Sequence, residues 1–572
     1  MAHLHKKMKS GRPYYYVREI ARVDGKPKVV NQVYLGSPER ILQMASEKPA
    51  LPVKLQVQEF GALWLADLID REIGITEMID AVIGKSRKES GPTVGEYFFY
   101  ATANRMISAR SKRALPDWYK STAIQQIRPT DIAALTSQRF WKKWERVAEG
   151  QLEQIAIAFS RKLAQLEPPS NCFMFDTTNY YTFMASETDS ELAVRGKNKE
   201  GRDWLRQIGI ALLVSRNNRL PLFYREYEGN RHDSKVFRRV IDELFSAMDD
   251  TAGEQSEMTL VFDKGMNSEE NITEIDAHPR MHFITTYSTY YAEELIHIDL
   301  SKFQVVKTDK NYSLRERGRE DDQLRAYRTT GGHWGQTRTV VVTYNPLTAT
   351  KQRYAFEKKI LRLQEELFLI RSKVNKQLPH WKSEKQVRAR YEDLCAMLRL
   401  PVDLYTVELY QEGNRLQMAF RKNHYRIGRH IDRFGKNIII TDNLGWSTDE
   451  IVRASLDRYV VENAFRQSKD DDLVSLMPLR HWTDSKIRCH IFSCMVALAY
   501  LRLIEIRLHR AGVKISAEKA MEEMHTLHSC LAWQPGKKKP ERIMEEPSET
   551  QAQILRAFGY EIKNGVLHEK SH

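Results

Sequence analysis

The alternation of apolar and polar positions divides this chain into recognisable stretches. Tyr14 to Val23 and Lys28 to Leu35 are rich in aromatic and β-branched residues and flank Asp24-Gly25, so residues 12–36 read as a β-hairpin or small sheet. From about residue 57 to 165 the period becomes helical, with Phe60, Leu63, Trp64, Asp67, Leu68 and Arg71 at amphipathic spacing and Gly91-Pro92 as a break. Pro168-Pro169-Ser170 marks a domain boundary. The apolar run from Cys172 then ends in Asp176, and Gln207 to Ser215 and Leu220 to Tyr227 follow as strands. A helix over Lys235 to Ala247 precedes a second short apolar run, Met258 to Phe262, which ends in Asp263. A helix over Ser268 to Ala277 and a strand over His282 to Thr286 complete a mixed α/β sheet.

From about 295 to 430 the texture changes. Strand-like pieces, Phe303 to Lys307 and Arg338 to Tyr344, precede a charged helical pattern from Tyr354 to about Lys376. A helix over Glu384 to Met397 and strands over Val402 to Tyr410 and Arg415 to Phe420 follow. This reads as an inserted module, because Asn437 to Thr441 resumes the sheet pattern. The next stretch, Trp446 to Lys469, is predicted as one helix. Ser447 and Glu450 have capping-box spacing, with Trp446 and Ile451 as a hydrophobic staple. Ser455, Arg458, Glu462, Arg466 and Lys469 fall at steps of three and four and would share one stripe. Taken alone, that stripe reads equally well as a solvated salt-bridge ladder. Ile487 to Ile506 is predicted as a buried helix, and the polar tail beyond 535 as peripheral.

At 572 residues the chain exceeds one ordinary core, so two to four domains are expected. A formal net charge of +14 and a pI near 9.3 favour a polyanionic partner, nucleic acid before membrane. Lys6, Lys7, Lys9, Arg12, Arg18, Arg22, Lys26 and Lys28 make the first module basic, and Asn104 to Lys120 interleaves cations with Trp118 and Tyr119. The apolar runs are too interrupted to span a bilayer and the amino terminus lacks a signal-peptide core. Five cysteines make no disulfide framework, so the expected location is cytoplasmic. His525, His528 and Cys530 have loose metal-ligand spacing but no matching pair nearby, and Cys489 and Cys494 read as core thiols.

The chemistry is carried by Asp176, Asp263 and Glu462. Two carboxylates ending short strands and a third on a downstream helix can converge on one sheet edge. Such hard oxygen ligands suit Mg²⁺ or Mn²⁺, and two ions serve phosphoryl transfer.

Several motifs in order resemble the DDE transposases of bacterial insertion sequences, which have a ribonuclease-H-like catalytic domain. They are Phe-Asp-Thr-Thr at 175–178, GKNKEGRDWLRQIGIALLV, LPLFYREYEGNRHDS, VFDKGMNSEENI and SLMPLRHWTDSKIRCHIF. The branch most resembled has a Tyr-x2-Arg-x3-Glu-x6-Lys signature and a β-rich insertion. Arg458, Glu462 and Lys469 match that signature, while Ser455 stands in place of its tyrosine and Tyr459 lies beside the arginine. The resemblance implies two Mg²⁺ ions (Mn²⁺ substituting) on Asp176, Asp263 and Glu462. It also implies double-stranded transposon-end and target DNA as substrates, held by Arg458, Lys469, Tyr459 and Arg466, and a homodimeric synaptic complex. Trp334 is the candidate for the aromatic that stacks on a flipped base, with a core tryptophan of the insertion as the equal alternative, and Ser455 puts the hairpin intermediate of that branch in question. The implied organisation is a basic β-hairpin module (1–50) and a helical DNA-binding or dimerisation domain (51–168). A ribonuclease-H-like core (169–294 and 433–510) then surrounds a β-rich and helical insertion (295–432), before a C-terminal region (511–572). The alternatives are a ribonuclease-H-like nuclease without strand transfer and an inactive, transposase-derived DNA-binding protein.

Overall fold

A computed structural model describes residues 2–9, 11–23, 26–46, 54–84, 91–184, 188–196, 201–252, 256–470, 473–477, 479, 481–534 and 538–570. The chain forms two compact units, one of residues 1–256 and 459–572, the other of residues 257–458. Both mix strands and helices, as the periodicity predicts.

The first unit opens on a three-stranded antiparallel sheet, Ala2–Lys9, Arg12–Val23 and Lys26–Gly36. The first of these strands is additional to the expected hairpin, and Asp24-Gly25 lies outside the described residues. Lys54–Glu59 is a strand, where a helical domain was expected to begin, and it pairs with His528–Trp533. That partner pairs in turn with Glu541–Met544, so the polar tail joins a sheet instead of remaining peripheral. Helices lie between these strands along the chain. Val94–Ile107 starts with a capping box, Thr93 with Glu96, and buries nearly its whole length. It packs beside Asp484–Arg510, through Phe98 on Phe492 with ring centroids 5.6 Å apart. Asp484–Arg510 is long and apolar enough to cross a membrane, contrary to the sequence expectation, but neighbouring helices bury most of it.

This unit also holds strands β1 (Cys172–Thr182), β2 (Arg206–Ser215) and β3 (Pro221–Glu228). β2 pairs antiparallel with both β1 and β3 and is almost wholly buried. Gly209 on β2 lies against the Tyr227 ring, where an added Cβ would come within 2.0 Å of a ring carbon.

The second unit holds β4 (Met258–Phe262), β5 (Met281–Tyr287), β6 (Arg325–His333), β7 (Gln336–Tyr344) and β8 (Lys436–Thr441). The helix Glu269–Ala277 connects β4 to β5, which run parallel. β5, β8, β7 and β6 then pair antiparallel in that order, with Gln304–Val305 at the edge. The expected insertion therefore divides. β6 and β7 belong to the main sheet, and only Pro346 onward builds a separate module. That module is mainly helical, with Pro346–Asn375, Glu384–Leu398 and His424–Ile431 around one hairpin, Tyr405–Glu412 with Arg415–Lys422. Phe356, Leu363, Leu367, Val374, Val387, Cys395, Leu404 and Met418 form its own core.

Candidate active site

Asp176 is not at a strand end. β1 continues six residues past it, since Thr177 to Thr182 are β-formers and pair in register with β2 as far as Thr182 opposite Arg206. The Asp176 carboxylate is partly exposed, and its Oδ1 accepts the Thr177 amide at 2.8 Å. Side chains alternate along the strand, so Asp176, Thr178 and Tyr180 share one face and Thr177 points to the other. There the Thr177 hydroxyl donates to Asp233 Oδ1 at 2.8 Å.

The helix Tyr459–Ser468 docks on the Asp176 face of β1. Lys469, just past its end, donates from Nζ to the Thr178 hydroxyl at 3.0 Å, and its ammonium lies 5.1 Å from the Tyr180 ring centroid. The Tyr180 and Ser468 hydroxyls are 2.6 Å apart. Glu462 is exposed on this helix and shares the stripe of Tyr459, Arg466 and Lys469 by helical spacing. Tyr459 is 44% exposed, with its hydroxyl 3.5 Å from Arg219 Nη2. Arg466 is exposed beside Asn463.

In the other unit, Asp263 follows β4 directly, as the sequence predicts. Arg458 Nη1 stands 2.6 Å from its Oδ1, and the Thr286 hydroxyl donates to the same oxygen at 3.0 Å. Burial alone would raise the Asp263 pKa. The Arg458 charge and hydrogen bond, the Lys264 amide and the Thr286 hydroxyl outweigh it and hold the carboxyl below its ordinary range. Asp263 is therefore an anion at neutral pH.

The expected single helix over 446–469 is two. Thr448–Leu456 has the predicted capping box, Ser447 with Glu450, and closes where the Asp457 amide donates to Arg453 O at 2.8 Å. The second helix begins at Tyr459, so Ser455 and Arg458 are not on the helix of Glu462. No Pro or Gly causes the break. The first helix buries Ile451, Val452 and Ala454, the second Val460, Val461, Ala464 and Phe465. At 3.6 residues per turn these stripes are roughly 110° out of phase, so one straight helix could not present both to a common surface.

Trp334 occupies the turn between β6 and β7. It and Gly335 both have positive φ, 49° and 70°, as a two-residue hairpin of the primed type requires. Its ring meets Phe283 at 5.9 Å and Tyr287 at 5.8 Å, both edge-on, and is partly buried. Trp334 thus packs on Phe283 and Tyr287 at the hairpin tip with part of its surface exposed.

Two site neighbours had escaped the sequence reading. Thr178 is recoverable from the strand period, two positions after Asp176. Thr286 is not, because it reaches Asp263 only through the parallel register that sets Thr285 opposite Phe262. His528 Nδ1 lies 2.9 Å from Glu545, and His481 is buried with its ring 5.7 Å from Trp144 and 4.9 Å from His490. Among the described residues, no three His, Cys, Asp or Glu side chains form a ready metal cluster.

Comparison with curated protein sequences finds no match. Among solved structures, the chain is similar to a piggyBac transposase in a synaptic complex with hairpin DNA, determined by cryo-EM. The identity is 10% and the TM-score 0.36, with 81% of this chain and 79% of that one covered. The family described as Transposase DDE domain matches residues 182–501, which takes in Asp263 and Glu462 and begins after Asp176. That match spans more than half of the chain, and the protein belongs to the DDE-domain transposase family.

Proposed function

We propose that this chain is a DNA transposase that binds the terminal inverted repeats of its element and catalyses strand cleavage and strand transfer by a cut-and-paste route. Asp176, Asp263 and Glu462 are the proposed catalytic carboxylates. The observation that carries the reading is the Lys469–Thr178 hydrogen bond, 3.0 Å long and spanning 291 positions. It seats the helix of Glu462, with the matched lysine, on the strand face of Asp176.

The donor set suits a divalent cation of the Mg²⁺ type. All three are hard oxygen donors, Asp263 is held ionised, and both side-chain contacts to it use Oδ1, so neither consumes Oδ2. Asp176, Asp263 and Glu462 would hold the ions, with Mn²⁺ able to replace Mg²⁺. When bound, a pair of such ions activates the attacking oxygen and stabilises the leaving one. Arg458 fixes the charge and orientation of Asp263 and offers a guanidinium to a DNA phosphate beside it. Lys469 keeps its ammonium at the Thr178 face, where it balances the charge of a bound strand. The net charge of +14 supplies sequence-independent attraction for DNA. Joining two element ends in one reaction calls for two active sites, hence a homodimer.

The test is cleavage and strand transfer on paired terminal-repeat DNA with Mg²⁺. Wild type should give nicked and joined products, and Asp176→Asn, Asp263→Asn and Glu462→Gln should each lower the rate about a thousandfold, several kcal/mol of barrier. Arg458→Ala should slow cleavage less. Variants that all cut like wild type would refute the site. Cleavage without joined products would identify a nuclease, and denaturing gels would reveal hairpin ends directly.

A further inference from the structure

The unit of residues 257–458 carries a pocket of about 360 Å³ that the carboxylate chemistry does not use. Its wall includes Tyr290, Phe356, Lys359, Arg399, His430 and Arg433, and no Asp or Glu lines it. Arg433 is partly neutralised, because Glu293 pairs with it and with Arg429, each at 2.7 Å. Lys359 and Arg399 form no ion pair with a described residue. Arg399 ends the helix Glu384–Leu398 with φ 53°, a left-handed position where glycine is usual. A long cationic side chain in that position is the kind of backbone outlier that gathers at ligand sites.

Flat surfaces accompany these cations. The Phe356 and His430 rings stack with centroids 4.7 Å apart and planes at 25°. Tyr290 is 65% exposed with the Arg433 guanidinium 5.1 Å from its ring, and its neighbour Tyr291 is 82% exposed. Unpaired cations favour an anion, Arg above all a phosphate, which its planar fork engages through two parallel hydrogen bonds. Exposed aromatic faces beside them favour a planar base. The volume lies within the range of small-molecule sites.

We propose that this pocket binds one nucleotide, with its phosphate between Lys359 and Arg399 and its base against the Tyr290 face. The nucleotide is either the phosphorylated end of a DNA strand or a free mononucleotide, since both present the same two groups. None of the three carboxylates lines it.

Calorimetric titration of the full chain decides between these sources. The probes are dAMP, inorganic phosphate and a short single-stranded DNA with a 5′-phosphate, and the variants are Lys359→Glu, Arg399→Glu and Tyr290→Ala. Thermal melts establish that each variant folds. Either charge reversal should weaken binding at least tenfold. Tyr290→Ala should weaken the nucleotide probes and leave inorganic phosphate unchanged. Pocket-dependent binding of dAMP identifies a free-nucleotide site, and pocket-dependent binding of the oligonucleotide alone identifies a strand-end site. Equal binding by wild type and both charge reversals overturns the proposal, as does inorganic phosphate binding as tightly as dAMP. Asp263→Asn should retain nucleotide binding while losing cleavage, so failure of this site and failure of the transposase reading remain distinguishable.

Discussion

Asp176 and Asp263 are the same residue type on buried-strand sequences, yet they are held in opposite ways. Asp176 lies within a strand, with Leu212 opposite it in the ladder and its Oδ1 on the next amide. Its position follows from backbone pairing. Asp263 lies one residue beyond its strand, and distant side chains, Thr286 and Arg458, hold its carboxylate. The first arrangement fixes where an acid sits. The second also fixes its charge, because a guanidinium opposes the desolvation that would otherwise favour the neutral acid.

The comparison can be broken most sharply by pairing two substitutions. Asp176→Asn and Asp263→Asn should lose catalysis alike, about a thousandfold, but differ in stability. Asp263→Asn removes the anion from Arg458 and should cost roughly 0.5–1 kcal/mol, an amount limited by the partial exposure of the pair. Asp176→Asn retains an oxygen acceptor for the Thr177 amide. An unchanged melting temperature for Asp263→Asn in calorimetry would remove the distinction.

A second contrast is in pH dependence. Burial, with Lys112, Arg105 and Lys486 nearby, pushes His481 down from 6.5 to about 3. The unfolded chain then takes up a proton that the folded one refuses, so stability falls as pH drops from about 6.5 towards 3. His481→Phe should flatten the fall in melting temperature between pH 6.5 and 4. A slope identical to wild type would assign the acid sensitivity elsewhere, with His490, whose pKa burial also lowers, as the next residue to vary.

Smaller still is the cap. Ser447→Ala removes the acceptor for the Glu450 amide and should cost about 1 kcal/mol in urea unfolding, with the cleavage rate of the folded protein unchanged. The smallest effect is expected from Arg458 on acid stability. Because the folded Asp263 pKa is depressed, its contribution is present above the unfolded value near 3.9 and is lost as pH falls through the folded one. Arg458→Ala should flatten stability only below about pH 4, leaving the window of His481 intact.

Much of this was readable without coordinates. The strands from Gln207, Leu220 and Met258 declare themselves by apolar runs between turn signals, and the Ser447–Glu450 box was found where the spacing put it. The errors have a common origin. β6 contains Thr-Thr-Gly-Gly, a poor strand by propensity, and exists because β7 pairs with it from Arg325 opposite Tyr344 to His333 opposite Gln336. Lys54–Glu59 is a strand only because His528–Trp533 supplies its partner. The helix at 446–469 looked continuous because polar spacing ran through it, while its buried faces follow two different cores.

The sequence by itself determined the local periods, the basic charge, the three acidic positions and the motifs of the family. These depend on side-chain type and spacing, which are written in the chain. Tertiary structure alone decided that Arg458 leaves the helix of Glu462 to reach Asp263, that Lys469 bonds Thr178, and that Trp334 meets Phe283 and Tyr287. Those contacts depend on strand register and on which core each helix face meets, and neither is a property of neighbouring residues.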